Sequence, residues 1–123
     1  MHRQLTSTLL ACLLTLCLHA GAASPASEDA AWQWLALIDE CDYASAWEQS
    51  GSLMRDSLDQ AALAQAIDMA RSNLGELGKR DLVGTEQTRR LPGVEDGNYI
   101  VFSFLTGFGD DTLVTETLTM SLE

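Results

Sequence analysis

The sequence predicts an α+β fold with three N-terminal helices packed on a curved antiparallel sheet of three strands. Apolar residues recur with the helical period up to Gly78, and they alternate with polar residues after it. Turn residues then divide the second half, with Pro92-Gly93 and the strong hairpin signal Asp96-Gly97. Helices that precede an antiparallel sheet and cover one of its faces define this class.

Residues 1–23 are predicted to be a secretory signal peptide. Met1–Gln4 carries one arginine and no acid, Leu5–Leu18 is apolar, and Ala20–Ala23 consists of small residues. The apolar core is shorter than the roughly 20 residues that a membrane-spanning helix needs. The alternative, lipidation at Cys12 or Cys17, lacks a suitable preceding core or a small preceding residue. We therefore expect cleavage, a periplasmic or secreted location, and no stable membrane insertion.

Cleavage decides which chemistries remain. It removes both histidines and leaves Cys41 as the one cysteine. A Ser-His-Asp or Cys-His nucleophile and a histidine-based zinc site both need residues that the mature chain would lack. A single thiol also forms no intramolecular disulfide. We expect no metal, no cofactor and no catalytic residue.

The charge of the mature chain is strongly negative. Seven basic residues less Arg3 stand against 18 acidic residues, which gives a net charge of −12. Such a chain repels nucleic acids and anionic lipid surfaces. After a flexible leader, Ser24–Ser27, the remaining residues 28–123 are enough for one small domain with a modest core.

The first two helices are predicted from apolar stripes at helical spacing. The first starts at Glu28, where acidic residues suit the positive end of the helix dipole. Asp42 is the expected N-cap of the second helix. The stripes consist of Ala31, Trp34, Leu35 and Ile38 in the first helix, and of Tyr43, Ala46 and Trp47 in the second.

A third helix is predicted to open with the capping box Ser57–Gln60. Residues 49–56 before it are expected to be an interruption and a link. Gly75 and Gly78 are the expected stops. Its apolar stripe consists of Leu63, Ile67, Ala70, Leu74 and Leu77.

Three strands follow. Lys79–Leu91 alternates weakly and is mostly polar, which indicates an exposed or edge strand. In the second strand, Tyr99–Phe108, one face carries Ile100, Phe102, Phe104 and Phe108, and the other carries Tyr99, Val101, Ser103 and Leu105. In the third strand, Leu113–Glu123, Val114, Leu118, Met120 and Leu122 share a face with Glu116.

Several motifs in one order resemble a family of small secreted bacterial proteins, domain of unknown function 4019. They are Trp34 in the first helix, the Asp-x-x-Asp-Tyr-x-x-x-Trp corner Asp39–Trp47, the Arg-x-x-x-Gly-x-x-x-x-Arg segment Arg71–Arg80, Leu-Pro-Gly at Leu91–Gly93, Asp-Gly-x-Tyr at Asp96–Tyr99, and Glu-Thr-x-Thr at Glu116–Thr119. The resemblance implies a fold similar to the cystatin-like and nuclear-transport-factor-like class. It implies no activity, because these folds host both binding modules and enzymes.

The chain departs from that family in two places. Relatives continue after the Glu-Thr-x-Thr strand into a further strand, whereas this sequence stops at Glu123, so a final strand is expected to be missing. An open sheet edge would invite pairing with another chain. Cys41 occupies a corner where a small residue is expected. Two alternatives follow: the sequence is truncated at this point, or the protein forms a homodimer through the open edge or through Cys41.

Candidate ligand-binding residues are Tyr43, Trp47, Arg89 and Glu116. The two aromatic residues either pack in the core with their polar atoms satisfied or line a pocket between helices and sheet. Glu116 lies on the apolar side of its strand, so it needs a cationic partner, which the arginines supply. The candidates for that partner are Arg71, Arg80 and Arg89.

The composition and motifs together favour a non-catalytic binding module whose ligand is a partner protein or a small apolar molecule. The alternative is a small lyase- or isomerase-like enzyme that uses Asp39, Tyr43 or Glu116. In that case a carboxylate base and a tyrosine donor would move a proton next to a carbonyl. The alternative requires a roomy pocket and a carboxyl of raised pKa.

Overall fold

A computed structural model of the chain describes residues 7–12, 17–18 and 25–122. Helices precede the antiparallel part of the sheet, which confirms the predicted α+β class. The helices are α1 Pro25–Asp39, α2 Tyr43–Gln49, α3 Ser52–Ser57 and α4 Gln60–Arg71, and the strands are β1 Ser7–Cys12, β2 Cys17–Leu18, β3 Leu77–Thr88, β4 Tyr99–Phe108 and β5 Thr112–Leu122. No helix within the described residues is both long enough and apolar enough to cross a bilayer.

The sheet has the strand order β1-β5-β4-β3, and β2 also pairs with β5. The meander β3-β4-β5 is antiparallel, as predicted. The short strands β1 and β2 lie parallel to β5 along its other edge. In the full chain, the edge of β5 that the sequence predicts to be open is therefore occupied by segments of the predicted signal peptide. Cleavage of that peptide stays a prediction, and its other residues lie outside the described ranges.

The core forms between the helices and one face of β4 and β5. Alternation in β4 buries the predicted side chains Ile100, Phe102, Phe104 and Phe108, and leaves Val101, Ser103 and Leu105 half-buried. Tyr99 is an exception to the predicted alternation. It is buried because the loop before β4 folds over it, and its hydroxyl donates to the Glu95 carbonyl at 2.6 Å.

The stripe predicted for α1 is fully buried, with Trp34 at its centre. The indole nitrogen of Trp34 donates to the Ala46 carbonyl at 3.0 Å and to the Ser50 hydroxyl at 3.3 Å, which ties α1 to α2. Core residues contributed by the helices are Ala31, Trp34, Leu35, Ile38, Ala46, Met54, Leu63 and Ile67. They form one cluster with Phe102, Phe104 and Leu118 of the sheet, among others.

Two helix starts differ from the prediction. α1 begins at Pro25, so most of the segment Ser24–Ser27 predicted as a flexible leader is helical; proline is favourable in the first turn because the N–H it lacks has no helical acceptor there. α4 is capped by Asp59, whose carboxylate accepts from the Ala62 N–H at 2.8 Å, and not by Ser57. Ser57 instead ends α3, a short helix where the sequence predicts a link.

The C-terminal end of α4 also differs. The helix ends at Arg71, so Leu74 lies beyond it, and Leu77 begins β3 and is 38% exposed. The helix ends here because the segment after it packs closely against the turn between β4 and β5. Gly75 sits so close to the β4–β5 turn that a Cβ at this position would be 2.6 Å from the Cα of Gly109. Only glycine allows this approach, which places Arg71 over the sheet.

The α1–α2 corner has the hydrogen bonds of a Schellman motif. The N–H of Asp42 donates to the Leu37 carbonyl at 2.8 Å, and the N–H of Cys41 donates to the Ile38 carbonyl at 3.0 Å. Cys41 has a φ of 60°, the left-handed conformation that usually selects glycine at this position. Asp42 then caps α2 as predicted, because its carboxylate accepts from the Ser45 N–H at 3.2 Å.

Replacing Cys41 by glycine is expected to stabilise the protein. Glycine adopts the left-handed conformation without the clash of a Cβ, so Cys41→Gly should exceed Cys41→Ala in free energy of unfolding by about 1 kcal/mol. Both variants lose the thiol, and only glycine relieves the backbone. Urea denaturation of the two variants measures the difference. Equal stability of both would show that the corner carries no conformational strain.

Candidate functional site

The four predicted ligand-binding residues do not converge on one place. Tyr43 and Trp47 lie on α2, Arg89 follows the last residue of β3, and Glu116 lies in the middle of β5. The Trp47 indole donates to the Leu58 carbonyl at 2.9 Å, and it packs against the core from its edge. Trp47 therefore packs against the core with its indole N–H hydrogen-bonded, which is the first of the two predicted alternatives.

Tyr43 begins α2, and its side chain reaches α4. Its hydroxyl donates to the Asp68 carboxylate at 3.4 Å. A hydrogen bond with the Cys41 thiol, together with desolvation and the negative charge of Asp68, raises the pKa of Tyr43 to about 12. A phenol with this pKa holds its proton more firmly than an ordinary tyrosine does.

The proposed proton-transfer pair Asp39 and Tyr43 is not assembled. α1 ends at Asp39 and α2 starts at Tyr43, so the Schellman corner interrupts the helical spacing that would place them on one face. The carboxylate of Asp39 is bound by two arginines, and the hydroxyl of Tyr43 is bound by Asp68.

Arg89 lies in a surface groove of about 360 Å³ on the loop between β3 and β4. The loop is fixed by a hydrogen bond from the Gly97 N–H to the Arg89 carbonyl at 3.0 Å. Arg90 beside it pairs with Asp96 at 3.5 Å, although both side chains are mostly exposed. The groove is far more solvated than an enclosed ligand pocket, and its lining is mostly polar or charged: Arg89, Arg90, Asp96, Gly97 and Asn98.

The strongest concentration of charge lies elsewhere, in an ionic cluster of Asp39, Arg71, Arg80 and Glu116. Arg80 binds Asp39 through both terminal nitrogens, at 2.7 and 3.1 Å, and binds Glu116 through Nε at 2.8 Å. Arg71 binds the same two carboxylates, with 2.9 Å to Asp39 and 3.0 Å to Glu116. Each oxygen of each carboxylate therefore accepts at least one arginine hydrogen bond.

Four parts of the fold deliver these groups. Asp39 is the last residue of α1, Arg71 is the last residue of α4, and Arg80 and Glu116 face the helices from β3 and β5. The Thr106 hydroxyl of β4 adds a hydrogen bond to Glu116. The Arg71 guanidinium also lies 5.6 Å from the centroid of the Phe108 ring, within cation–π range.

The ionic cluster is largely removed from water. The side chain of Arg80 is 7% exposed, and those of Glu116, Asp39 and Arg71 are 14%, 18% and 21% exposed. Burial alone would raise the pKa of Asp39, but hydrogen bonds and charges of Arg80 and Arg71 outweigh it and lower that pKa below 3.8. For Arg80, burial opposes the charge, and bonding to Asp39 and Glu116 raises its pKa.

This arrangement saturates both carboxylates with hydrogen bonds and holds Asp39 ionised. A general base needs a free lone pair and a pKa near the working pH. Asp39 has neither, because its oxygens are occupied and its pKa is lowered. Within the described ranges, no three histidine, cysteine or acidic residues are grouped so as to hold a metal ion. The geometry therefore fits a structural clasp between helices and sheet.

The sequence predicted part of this cluster. The position of Glu116 on the apolar face required a cationic partner, and two of the three suggested arginines, Arg71 and Arg80, bind it. Arg89 does not, because β3 ends before it. The participation of Asp39 was missed. The sequence signal for it was its position in the last turn of the first helix, next to a sharp corner. Such a helix end packs against the rest of the fold.

Comparison with known proteins identifies a family and no activity. The family model described as "Protein of unknown function (DUF4019)" matches residues 30–123. The chain therefore belongs to this family, as its motifs indicate. Comparison with curated proteins finds no match, and comparison with solved structures finds none either.

Neutralising Asp39 should be strongly destabilising. In Asp39→Asn the buried Arg80 loses its bidentate partner, and leaving such a charge uncompensated should cost about 3 kcal/mol of free energy of unfolding. The matched control is Asp96→Asn, which breaks an exposed pair with Arg90 and should change stability by less than about 0.5 kcal/mol. Chemical denaturation at pH 7 measures both. Equal effects would mean that the cluster does not clasp the fold.

Acid should abolish the contribution of Asp39. Because its pKa is lower in the folded state than in the unfolded state, its stabilisation is complete above the unfolded value and is lost as pH falls through the folded value. The difference in free energy of unfolding between the parent and Asp39→Asn should therefore be constant from pH 7 to about 5 and shrink below about 4. A difference that stays unchanged down to pH 2.5 would contradict the ion pairing.

Proposed function

We propose that this member of the family is a non-catalytic interaction module that is exported and then binds a protein partner. The observation that carries the proposal is the state of its acidic groups. The two carboxylates available for proton transfer, Asp39 and Glu116, are consumed by Arg71 and Arg80 in a cluster that joins helices to sheet. Groups that hold the fold together in this way are poorly suited to change protonation state during a reaction.

Packing among the described residues supports a partner at the surface over a small apolar ligand inside. Large side chains of the two layers are fully buried against each other, and one contact cluster runs from α1 to β5. Trp32 adds an edge-to-face contact with Phe104, with 5.0 Å between the ring centroids. Ligand pockets in folds of this kind lie between helices and sheet, and here that space is occupied by side chains.

Export supports the same proposal. The apolar segment before Ala20–Ala23 has the form of a cleaved signal, and its removal leaves a chain with net charge −12. A high negative charge keeps a secreted domain soluble and repels nucleic acids and anionic lipids. The partner is then a protein surface, and any cationic patch on it would gain from this charge.

The enzyme alternative finds less support. A lyase or isomerase would need Asp39 as a base of raised pKa beside Tyr43, whereas arginines lower the pKa of Asp39 and hydrogen bonding raises that of Tyr43. These shifts oppose proton transfer from substrate to Asp39 and from Tyr43 to substrate.

Native mass spectrometry of the protein exported by a bacterial host tests the proposal. Expression of the full 123-residue chain should give a periplasmic species at the mass of residues 24–123 or 23–123, as a monomer, a dimer or a complex with another polypeptide. No small-molecule adduct is expected, since the described side chains of the helices and the sheet pack against one another.

Two tryptophan variants sharpen the measurement. A persistent small adduct that is lost in Trp47→Ala and kept in Trp32→Ala would show that the α2 corner is a ligand pocket and would overturn the proposal. Trp32 is a matched control because it is also half-buried and packs against the same core. Retention of the uncleaved mass in the cytoplasm would contradict export.

A further inference from the structure

The outer edge of β5, meaning the edge that does not pair with β4, is a strand-accepting surface. In the full chain it binds β1 in parallel, from Ser7 opposite Val114 to Cys12 opposite Leu118. Further along, Cys17 lies opposite Ser121 in the pairing with β2. Backbone groups along most of β5 are thus committed to strand pairing on both sides.

Its occupants belong to the predicted signal peptide. Removal of residues 1–23, which the proposed export entails, takes both β1 and β2 away. Among the described residues from Pro25 onward, nothing else pairs with the outer edge of β5, and its N–H and C=O groups form a template for another strand.

This edge lacks the charges that natural proteins use to block such pairing. The one ionisable residue of β5 is Glu116, and its carboxylate points into the ionic cluster. The opposite edge of the sheet, β3, is different: its register is interrupted by two irregularities, and it exposes the charged residues Lys79, Asp81 and Glu86. Charges and bulges protect an edge strand from pairing with another chain. β3 has this protection, and the outer edge of β5 lacks it.

The face of β5 that points away from the helices is uncharged as well. Thr115 and Thr117 lie there, opposite Leu105 and Ser103 of β4, and both are half-buried. An incoming strand would therefore meet uncharged side chains at these positions, in a chain of strongly negative net charge.

We propose that the outer edge of β5 in the exported protein binds β5 of a second copy, antiparallel, and joins two sheets into one. The inference rests on the proposed function and names its partner. The edge accepts an uncharged extended segment, and among the described strands of the mature chain β5 alone offers both that composition and an edge vacated by cleavage: β4 is paired on both sides, and β3 is charged and bulged. Antiparallel pairing of two β5 strands is also self-complementary about a two-fold axis.

Electrostatic repulsion between copies sets a specific salt dependence. Each mature copy has a net charge of −12, and the interface itself carries no exposed charge. At about 0.15 M salt the screening length is roughly 8 Å, so added salt weakens the repulsion between copies without breaking any pairing at the edge. Dimerisation should therefore strengthen as the sodium chloride concentration rises.

Sedimentation of the protein purified at its cleaved mass tests the proposal, with reductant present to prevent linkage through Cys41. The expected result is a concentration-dependent dimer. Thr115→Lys with Thr117→Lys places like charges opposite each other across the two-fold axis and should raise the dimer dissociation constant by at least about tenfold. Melting curves of each variant verify that it folds.

The matched control is Thr85→Lys with Gln87→Lys, two exposed residues at the same spacing on β3. It changes the net charge by the same amount at the protected edge. Because it only reduces the repulsion between copies, it should leave the dimer intact or tighten it. A protein that stays monomeric, or a dimer weakened equally by both pairs of substitutions, would overturn the proposal.

A second measurement does not depend on the lysine variants. Cys41→Gly removes the native thiol. In that background Thr115→Cys with Thr117→Cys should form a disulfide-linked dimer in air, because the same two-fold axis brings these positions of one copy opposite those of the other, within disulfide range. Thr85→Cys with Gln87→Cys should not. A dimer abolished by Cys41→Gly alone would be linked through the thiol, and this result would overturn the proposed pairing of β5 edges. A monomer that carries another polypeptide in the native mass spectrum would overturn the β5–β5 dimer. It would still agree with the proposed interaction module.

Discussion

The ionic cluster is the constraint on which the other parts of this structure depend. Two arginines and two carboxylates are taken largely out of water, and their mutual hydrogen bonds offset the desolvation of each member. Such a cluster as a whole contributes little to the free energy of unfolding, yet removal of one member leaves the others as buried charges without a full set of partners. Its value lies in geometry: the ends of α1 and α4 must meet β3 and β5 at one point for any of the four charges to be satisfied.

Two unusual backbone features of the fold lie next to this point. Cys41 turns the chain two residues after Asp39, in a left-handed conformation that redirects α2 while leaving the end of α1 over the sheet. Gly75 follows Arg71 by four residues and packs on the backbone of Gly109. Both features keep a helix end close to the sheet, because bulkier or straighter connections would pull a charged side chain out of reach of its partners.

Sequence reasoning succeeded where the information is local and failed where it is tertiary. The apolar stripe of α1 and the alternation of β4 follow directly from burial at a fixed period. The position of Glu116 on the apolar face of its strand likewise indicated that it needs a cationic partner. The cap of α4 was misplaced because Ser57 and Asp59 are both favourable N-cap residues, and Ser57 is taken up by the end of α3. Asp39 was seen as a base because nothing in its own neighbourhood reveals that Arg80, 41 positions away, reaches it.

The location of the cluster also explains why the two edges of the sheet differ. Glu116, the one acid of β5, is drawn to the helix side by the arginines, so the outer edge of that strand is left without exposed charge. On β3 the alternation is disturbed, and acidic and basic residues remain at the surface. In a chain with 18 acidic residues, an uncharged edge is where a second molecule can approach with the least repulsion. The interactions that hold helices to sheet therefore also leave the edge at which a partner strand would add.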